Sequence, residues 1–258
     1  KSTLTDNDKS AVLDVLSSEF LGMGPEVKKF ETDLESFFCR PVVAVNSGTA
    51  ALHAALQGCG IGKGDEVLVP SLTYVASFQA ISATGAIPVA CDIDETLHMD
   101  PQDTEGRLTE KTRAIMPVHY GGSMGRLNEL YALARKNDLR IIEDAAHAFG
   151  SSYKDKIVGS VGDIACFSFD GIKNITSGEG GCIVTSDMEC LEKIKDLRLL
   201  GVNKDSEKRY KQARSWEFDV TDQGWRYHMS DIMAALGRSQ LKRFSDISAK
   251  RKRTAIHY

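Results

Sequence analysis

The sequence predicts an α/β protein, a mainly parallel mixed sheet sandwiched by helices. Two periods alternate along the chain, with short apolar runs separated by segments of helical spacing. The runs are apolar throughout rather than every second residue, which fits strands covered on both faces. Each run is followed by turn chemistry, as strand–helix units require.

The first two elements read as helices. Val12, Leu13, Leu16 and Phe20 recur at helical spacing over residues 11–20, and Phe30, Leu34, Phe37 and Phe38 repeat it over 30–38. Strands are then predicted at residues 42–45, 66–69, 87–90, 114–118 and 140–142. Before the last of these, Leu127, Leu130 and Ala134 share one helical face. From Ile164 the texture changes. Residues 164–169 and 180–185 read as strands joined by a segment too short for a crossover helix, which predicts an antiparallel pair. Residues 203–223 are polar and read as one long functional loop. Ser230 is placed to cap a last helix carrying Ile232, Ala235, Leu236 and Leu241.

The chain has 258 residues, net charge −4, 42% hydrophobic and 26% charged residues. A length near this allows one large domain or two small ones, and a core that needs no disulfide or metal staples. The mild acidity, without a long basic run, argues against nucleic acid or an anionic membrane as partner. No apolar stretch is long enough to span a bilayer. Lys1-Ser2-Thr3-Leu4-Thr5-Asp6 has no apolar leader region and no initiator Met, so a processed or trimmed start without a signal peptide is expected. Cys39, Cys59, Cys91, Cys166, Cys182 and Cys190 are scattered singly, which reads as buried reduced thiols in a cytosolic protein with no metal site.

Ligands of α/β sheets bind at the carboxyl ends of the strands. After the first strand, Asn46-Ser47-Gly48-Thr49-Ala50-Ala51 feeds a small-residue turn into an Ala/Leu helix. Its free N–H groups and dipole end suit a phosphate, although a plain N-cap reads equally well. The turn is neither GxGxxG nor a P-loop, so no dinucleotide or nucleoside triphosphate is indicated. Asp144 ends the 140–142 run and could meet a cationic ring nitrogen; taken alone, it is better read as a helix cap. Lys173 follows the 164–169 strand in a Gly-rich turn. It is either a Schiff-base amine, which must shed its proton near neutral pH, or a solvated surface lysine. Anion site, Asp and Lys together match what pyridoxal phosphate requires.

A family resemblance rests on motifs in order: Asn46-Ser47-Gly48-Thr49-Ala50-Ala51-Leu52, Pro70-Ser71-Leu72-Thr73-Tyr74-Val75-Ala76-Ser77, Pro117-Val118-His119-Tyr120-Gly121, Glu143-Asp144-Ala145-Ala146-His147, Phe167-Ser168-Phe169 up to Lys173, and Gly178-Glu179-Gly180-Gly181. From about Phe20 onward the chain resembles the DegT/DnrJ/EryC1/StrS family, pyridoxal-phosphate sugar aminotransferases of the type I aspartate-aminotransferase fold. The resemblance implies that Lys173 binds the cofactor aldehyde and moves the proton, while Asp144 pairs with the pyridine nitrogen. It implies that Tyr74 stacks on the cofactor face; a core tyrosine is the other reading. His147 would stand beside the phenolic oxygen, one helical turn from Asp144. Gly48, Thr49 and the Ser168 hydroxyl would hold the phosphate.

Gly22-Met23-Gly24-Pro25 resembles the substrate-side segment. In Gly224-Trp225-Arg226-Tyr227-His228-Met229-Ser230 the family more often has Asn at residue 226 and Arg or Asn at residue 228. His228 is assigned a phosphate contact across a homodimer with a shared site. Residues 1–258 would form the cofactor-binding large domain with its N-terminal helical segment, the family's smaller C-terminal domain being largely absent from this chain. Lys173 argues against the dehydratase branch, in which His replaces the lysine.

The implied activity is a cytoplasmic aminotransferase that passes an amino group from an amino acid, expected to be L-glutamate, to a nucleotide-linked keto sugar. Pyridoxamine phosphate would be the intermediate, and the setting deoxyamino-sugar, cell-surface polysaccharide or secondary-metabolite biosynthesis. The alternatives are cyclitol amination or sugar dehydration on the same scaffold, a non-catalytic regulatory or binding homologue and, more weakly, a nicotinamide enzyme.

Overall fold

A computed structural model of the chain describes residues 3–202, 219–220 and 222–257. The predicted 203–223 loop falls largely outside the described residues. Helix α1 (Asp6–Ser18) begins five residues before the predicted 11–20 segment, because Thr5 and Asp8 form a reciprocal capping box. It stops short of Phe20 because Glu19 takes a left-handed conformation, φ 58°. Helix α2 (Pro25–Phe38) starts on a proline, whose missing N–H costs nothing at that position, and buries Val27, Phe30, Leu34 and Phe38.

Strand–helix units follow: β1 (Val42–Val45), α3 (Gly48–Gly58), β2 (Glu66–Pro70), α4 (Val75–Ala83), β3 (Ile87–Cys91), α5 (Pro101–Gly106), β4 (Thr112–Ile115), α6 (Leu127–Lys136) and β5 (Arg140–Asp144). A small antiparallel pair, β6 (Ser152–Tyr153) and β7 (Lys156–Ile157), precedes β8 (Ile164–Ser168), β9 (Gly181–Thr185), α7 (Met188–Leu197), α8 (Asp231–Lys242) and α9 (Phe244–Ile256). Among the described residues the main sheet has seven strands in the order β1-β9-β8-β5-β4-β2-β3. β2, β3, β4, β5 and β8 are mutually parallel, and β9 runs antiparallel to both β8 and β1. Six strands therefore share one direction, and β8–β9 is the expected antiparallel pair.

Strand alternation sorts the core into two layers. Val43, Val45, Ile142, Cys166 and Ile183 face one side, packed with the alanines and leucines of α3. Val42, Ala44, Ala165, Phe167 and Val184 face the other, with Phe30, Phe38, Phe149 and Phe169.

Some expectations need correction. The predicted 114–118 strand is Thr112–Ile115, since Pro117 has no N–H and the ladder resumes only as a single Val118–Asp144 bridge. β3 is an edge strand carrying Pro88, with Ile87 and Ala90 exposed, so not every strand is covered on both faces. Of the six free thiols, Cys39 is exposed and Cys59 half-buried, because both sit in the turns that end helices.

Candidate active site

The shared direction of six strands collects the carboxyl ends of β1, β2, β5 and β8 on one rim. These ends and the segments that leave them carry Gly48 and Thr49, Tyr74, Asp144 and Lys173. Side-chain alternation then places Asp144 on the face of Ile142 and Ser168 on the face of Cys166, both toward the layer of α3.

Ser47 caps α3, its hydroxyl accepting from the Ala50 N–H at 3.0 Å. The Gly48 and Thr49 N–H groups take no partner among the described residues, which leaves donors and a positive dipole end at the rim. Gly48 packs directly on Ser168: a Cβ at residue 48 would lie 2.8 Å from the Ser168 Cβ. Beside this loop runs the segment 226–228. Asn46 donates its backbone N–H to Tyr227 O (2.7 Å) and its side-chain amide to Arg226 O (3.2 Å), and His228 bridges Val45. His228 thus lies against β1 of its own chain. Its Nδ1 is buried with no partner among the described residues, and burial, with Arg226 and Arg198 nearby, pushes the imidazole below its ordinary range.

Asp144 is only 6% exposed. Its Oδ2 accepts from the Ser77 hydroxyl (2.8 Å) and its Oδ1 from the Ala146 N–H (3.2 Å). Among the described residues it has no ion-pair partner, so a buried carboxylate stands with neutral donors only. The position suits a ring N–H⁺, because a buried charge requires a counter-charge. The capping alternative for Asp144 fails, since residues 145–150 form turns and not a helix. His147 is therefore not one helical turn away; the turns bring it there instead. It feels both groups: burial and the Lys173 ammonium push it down, against the pull of Asp144.

Lys173 sits half-buried in a braced loop. Its N–H donates to Asp170 O (3.0 Å), the Asn174 amide donates to Phe149 O (2.8 Å), and Arg251 of α9 donates to Lys173 O (3.2 Å) and Asn174 Oδ1 (2.8 Å). Tyr74 is the N-cap residue of α4 and is 76% exposed, which excludes the core-tyrosine reading and leaves a ring free to cover a ligand.

Ser77, Thr73, His119 and Glu143 are not among the predicted site residues. His119 donates its N–H to Asp144 O (3.0 Å), and Asp144 donates its own to Pro117 O (2.9 Å), clamping the strand end. The His119 imidazole donates through Nε2 to Glu143 Oε2, and Tyr131 donates to Glu143 Oε1, each at 2.6 Å. All but Tyr131 stand inside the motifs that carried the resemblance, which was the available signal.

The model of the DegT/DnrJ/EryC1/StrS aminotransferase family matches residues 2–258. The chain belongs to that family. It is 43% identical over 249 residues to the spore coat polysaccharide biosynthesis protein SpsC of Bacillus subtilis, covering 96% of this chain and 64% of SpsC. Among solved structures, a proposed sugar aminotransferase of Streptococcus pneumoniae in its pyridoxamine-phosphate form superposes with a TM-score of 0.91 at 35% identity, over 97% of this chain and 68% of that one. PseC of Helicobacter pylori, an aminotransferase involved in the biosynthesis of pseudoaminic acid, gives 0.90 at 32% identity, over 99% and 68%. The chain spans just under two thirds of the length of the curated relatives it matches.

Proposed function

We propose that this family member is a pyridoxal-phosphate aminotransferase that moves an amino group from an amino acid, L-glutamate, to a nucleotide-linked keto sugar. The observation that carries the reading is the convergence on one rim of a buried Asp144 with no ion-pair partner among the described residues, the braced Lys173 and the N-terminal N–H groups of α3. The residues present fit the cofactor. Gly48, Thr49 and Ser168 would hold its phosphate, with Arg226 adding positive charge nearby and His228 a neutral imidazole beside it. Asp144 would hold the ring N–H⁺, His147 would neighbour the phenolic oxygen, and Tyr74 would cover one face.

Bound there, the cofactor supplies an electron sink for the pair left when a Cα–H bond breaks. Lys173 would hold its aldehyde carbon through Nζ, and the same Nζ would move the proton at the substrate carbon. The Asp144 carboxylate keeps the ring nitrogen protonated, which is what makes the sink effective. The relationship to SpsC supports a polysaccharide setting. A dimer is supported by apolar side chains exposed at the rim, Tyr74, Val75, Tyr120 and Ile172. A cytoplasmic location goes with that reading.

The experiment is reconstitution with pyridoxal phosphate, borohydride reduction and peptide mass mapping, followed by L-glutamate and a keto-sugar nucleotide. A pyridoxyl adduct on Lys173 and amino-sugar product are expected, and Lys173→Ala should abolish both while the fold survives. Turnover by Lys173→Ala, or an adduct elsewhere, would refute the assignment.

A further inference from the structure

Asp144 is held by a chain of hydroxyls that none of the roles above requires. Ser77 lies in the first turn of α4, fully buried, with its Oγ 2.8 Å from Asp144 Oδ2. Thr73 Oγ1 is 2.7 Å from the same Ser77 Oγ. The direction of both bonds follows from proton count. An ionised carboxylate only accepts, so Ser77 must give its single proton to Asp144. Its oxygen is then left to accept, and Thr73 must be the donor. The relay therefore runs Thr73 to Ser77 to Asp144, from the residue just before Tyr74 to the end of β5.

We propose that Ser77, backed by Thr73, is the positioning residue that makes Asp144 a partner for a protonated ring nitrogen rather than a base that removes its proton. The inference rests on the reading of Asp144 as the ring-nitrogen partner. A carboxylate that already accepts a strong hydrogen bond is a weaker base at its remaining lone pairs. With Asp144 and Ser77 both buried, a proton shared between a pyridine nitrogen and this carboxylate passes to whichever is more basic. The Ser77 donor moves that balance toward nitrogen, and Thr73 strengthens it by polarising the Ser77 hydroxyl. The Oδ1 bond from the Ala146 N–H, longer at 3.2 Å, acts in the same sense and fixes the carboxylate plane. The relay also ties the segment bearing Tyr74 to Asp144. Loss of the hydroxyl therefore alters a protonation state and not merely packing.

The test loads the purified protein with pyridoxal phosphate carrying the heavy nitrogen isotope in its ring and reads that nitrogen by NMR, alongside the cofactor dissociation constant. Ser77→Ala should move the resonance toward the neutral-pyridine position and weaken binding about tenfold. Thr73→Val should move it the same way by less, and Ser77→Thr should restore the wild-type position. Thr73→Val decides the matter should Ser77→Ala fail to fold. An unmoved resonance in both hydroxyl variants, with Asp144→Asn shifting it strongly, overturns the relay and leaves the site reading intact. An unmoved resonance in Asp144→Asn as well overturns the assignment of Asp144 itself.

Discussion

Gly48 and Ser168, one at the start of α3 and the other at the end of β8, are in direct backbone-to-side-chain contact: a Cβ on residue 48 would stand 2.8 Å from the Ser168 Cβ and 3.2 Å from its Oγ. Real carbon atoms do not approach that closely. Gly48→Ala must therefore push the helix end away from the hydroxyl, separating the two halves of the proposed phosphate site. The expected outcome is cofactor affinity lowered about tenfold, on the order of 1.4 kcal/mol, with circular dichroism unchanged. Titration of the protein with pyridoxal phosphate measures this. Wild-type affinity in Gly48→Ala would mean that the phosphate is held elsewhere.

Asp231 acts as a cap for a helix it does not belong to. Its Oδ1 accepts from the N–H groups of Gly24 (2.8 Å) and Val27 (3.0 Å), its Oδ2 from that of Glu26 (3.2 Å), and its own N–H donates to Gly22 O (2.8 Å). Gly24 offers no side chain to do this for α2. Asp231→Ala should cost about 2 kcal/mol of stability, as the loss of a cap with several donors does. It also frees residues 22–25, the segment that resembles the family's substrate side. KM for the proposed keto-sugar substrate should rise while cofactor affinity holds, and steady-state kinetics beside a cofactor titration separate the two.

What the sequence revealed and what it hid follow from sequence separation. Strand apolarity and turn residues are local, so the rim and its bearers Asp144 and Lys173 could be read directly. The Thr5–Asp8 box is local too, yet it lies ahead of the apolar stripe and the period alone missed it. The partners of Asp144 were hidden for another reason. Ser77 is 67 residues away and His119 is 24 residues from Glu143, and both pairs are created only by packing in the fold. The resemblance puts His147 beside the phenolic oxygen, but the helical turn expected to link it to Asp144 is replaced by turns over residues 145–150. The turns reach the same neighbourhood because residues 145–150 must fold back from the strand end.

Behind Asp144, the other face of β5 buries Glu143 against two donors, His119 and Tyr131, and the Tyr131 phenol is pushed far above its ordinary range by burial and by that carboxylate. Glu143→Leu would leave both donors buried without an acceptor. Breaking such a cluster should cost about 3 kcal/mol, seen as a lower urea midpoint at constant slope. Because His119 also holds Asp144 through the backbone, cofactor affinity should fall as well. A stability loss below about 1 kcal/mol would show that the cluster is solvated or dispensable.

The pH dependence of stability should fall in two separate stages. Burial pushes His53, His147 and His228 below the ordinary value of 6.5, with Lys173 adding to the effect on His147 and Arg226 and Arg198 on His228. The folded protein keeps these rings neutral, whereas the unfolded chain takes up protons as pH falls through about 6.5. The sign is therefore a loss of stability on acidification, beginning near neutrality and ending once the folded-state rings also protonate. A second loss belongs to Asp8. Burial raises it, but hydrogen bonds from Thr5, Ser239 and Arg243 outweigh that and hold it below its ordinary 3.8. Its contribution is complete above that value and disappears as pH falls through the lower folded-state value. Urea unfolding from about pH 7 to about pH 3 resolves the stages. His53→Gln should shrink the first by its own share and leave the second in place, whereas a wild-type profile flat between about pH 7 and about pH 5 would show that these imidazoles are as free in the fold as in the unfolded chain.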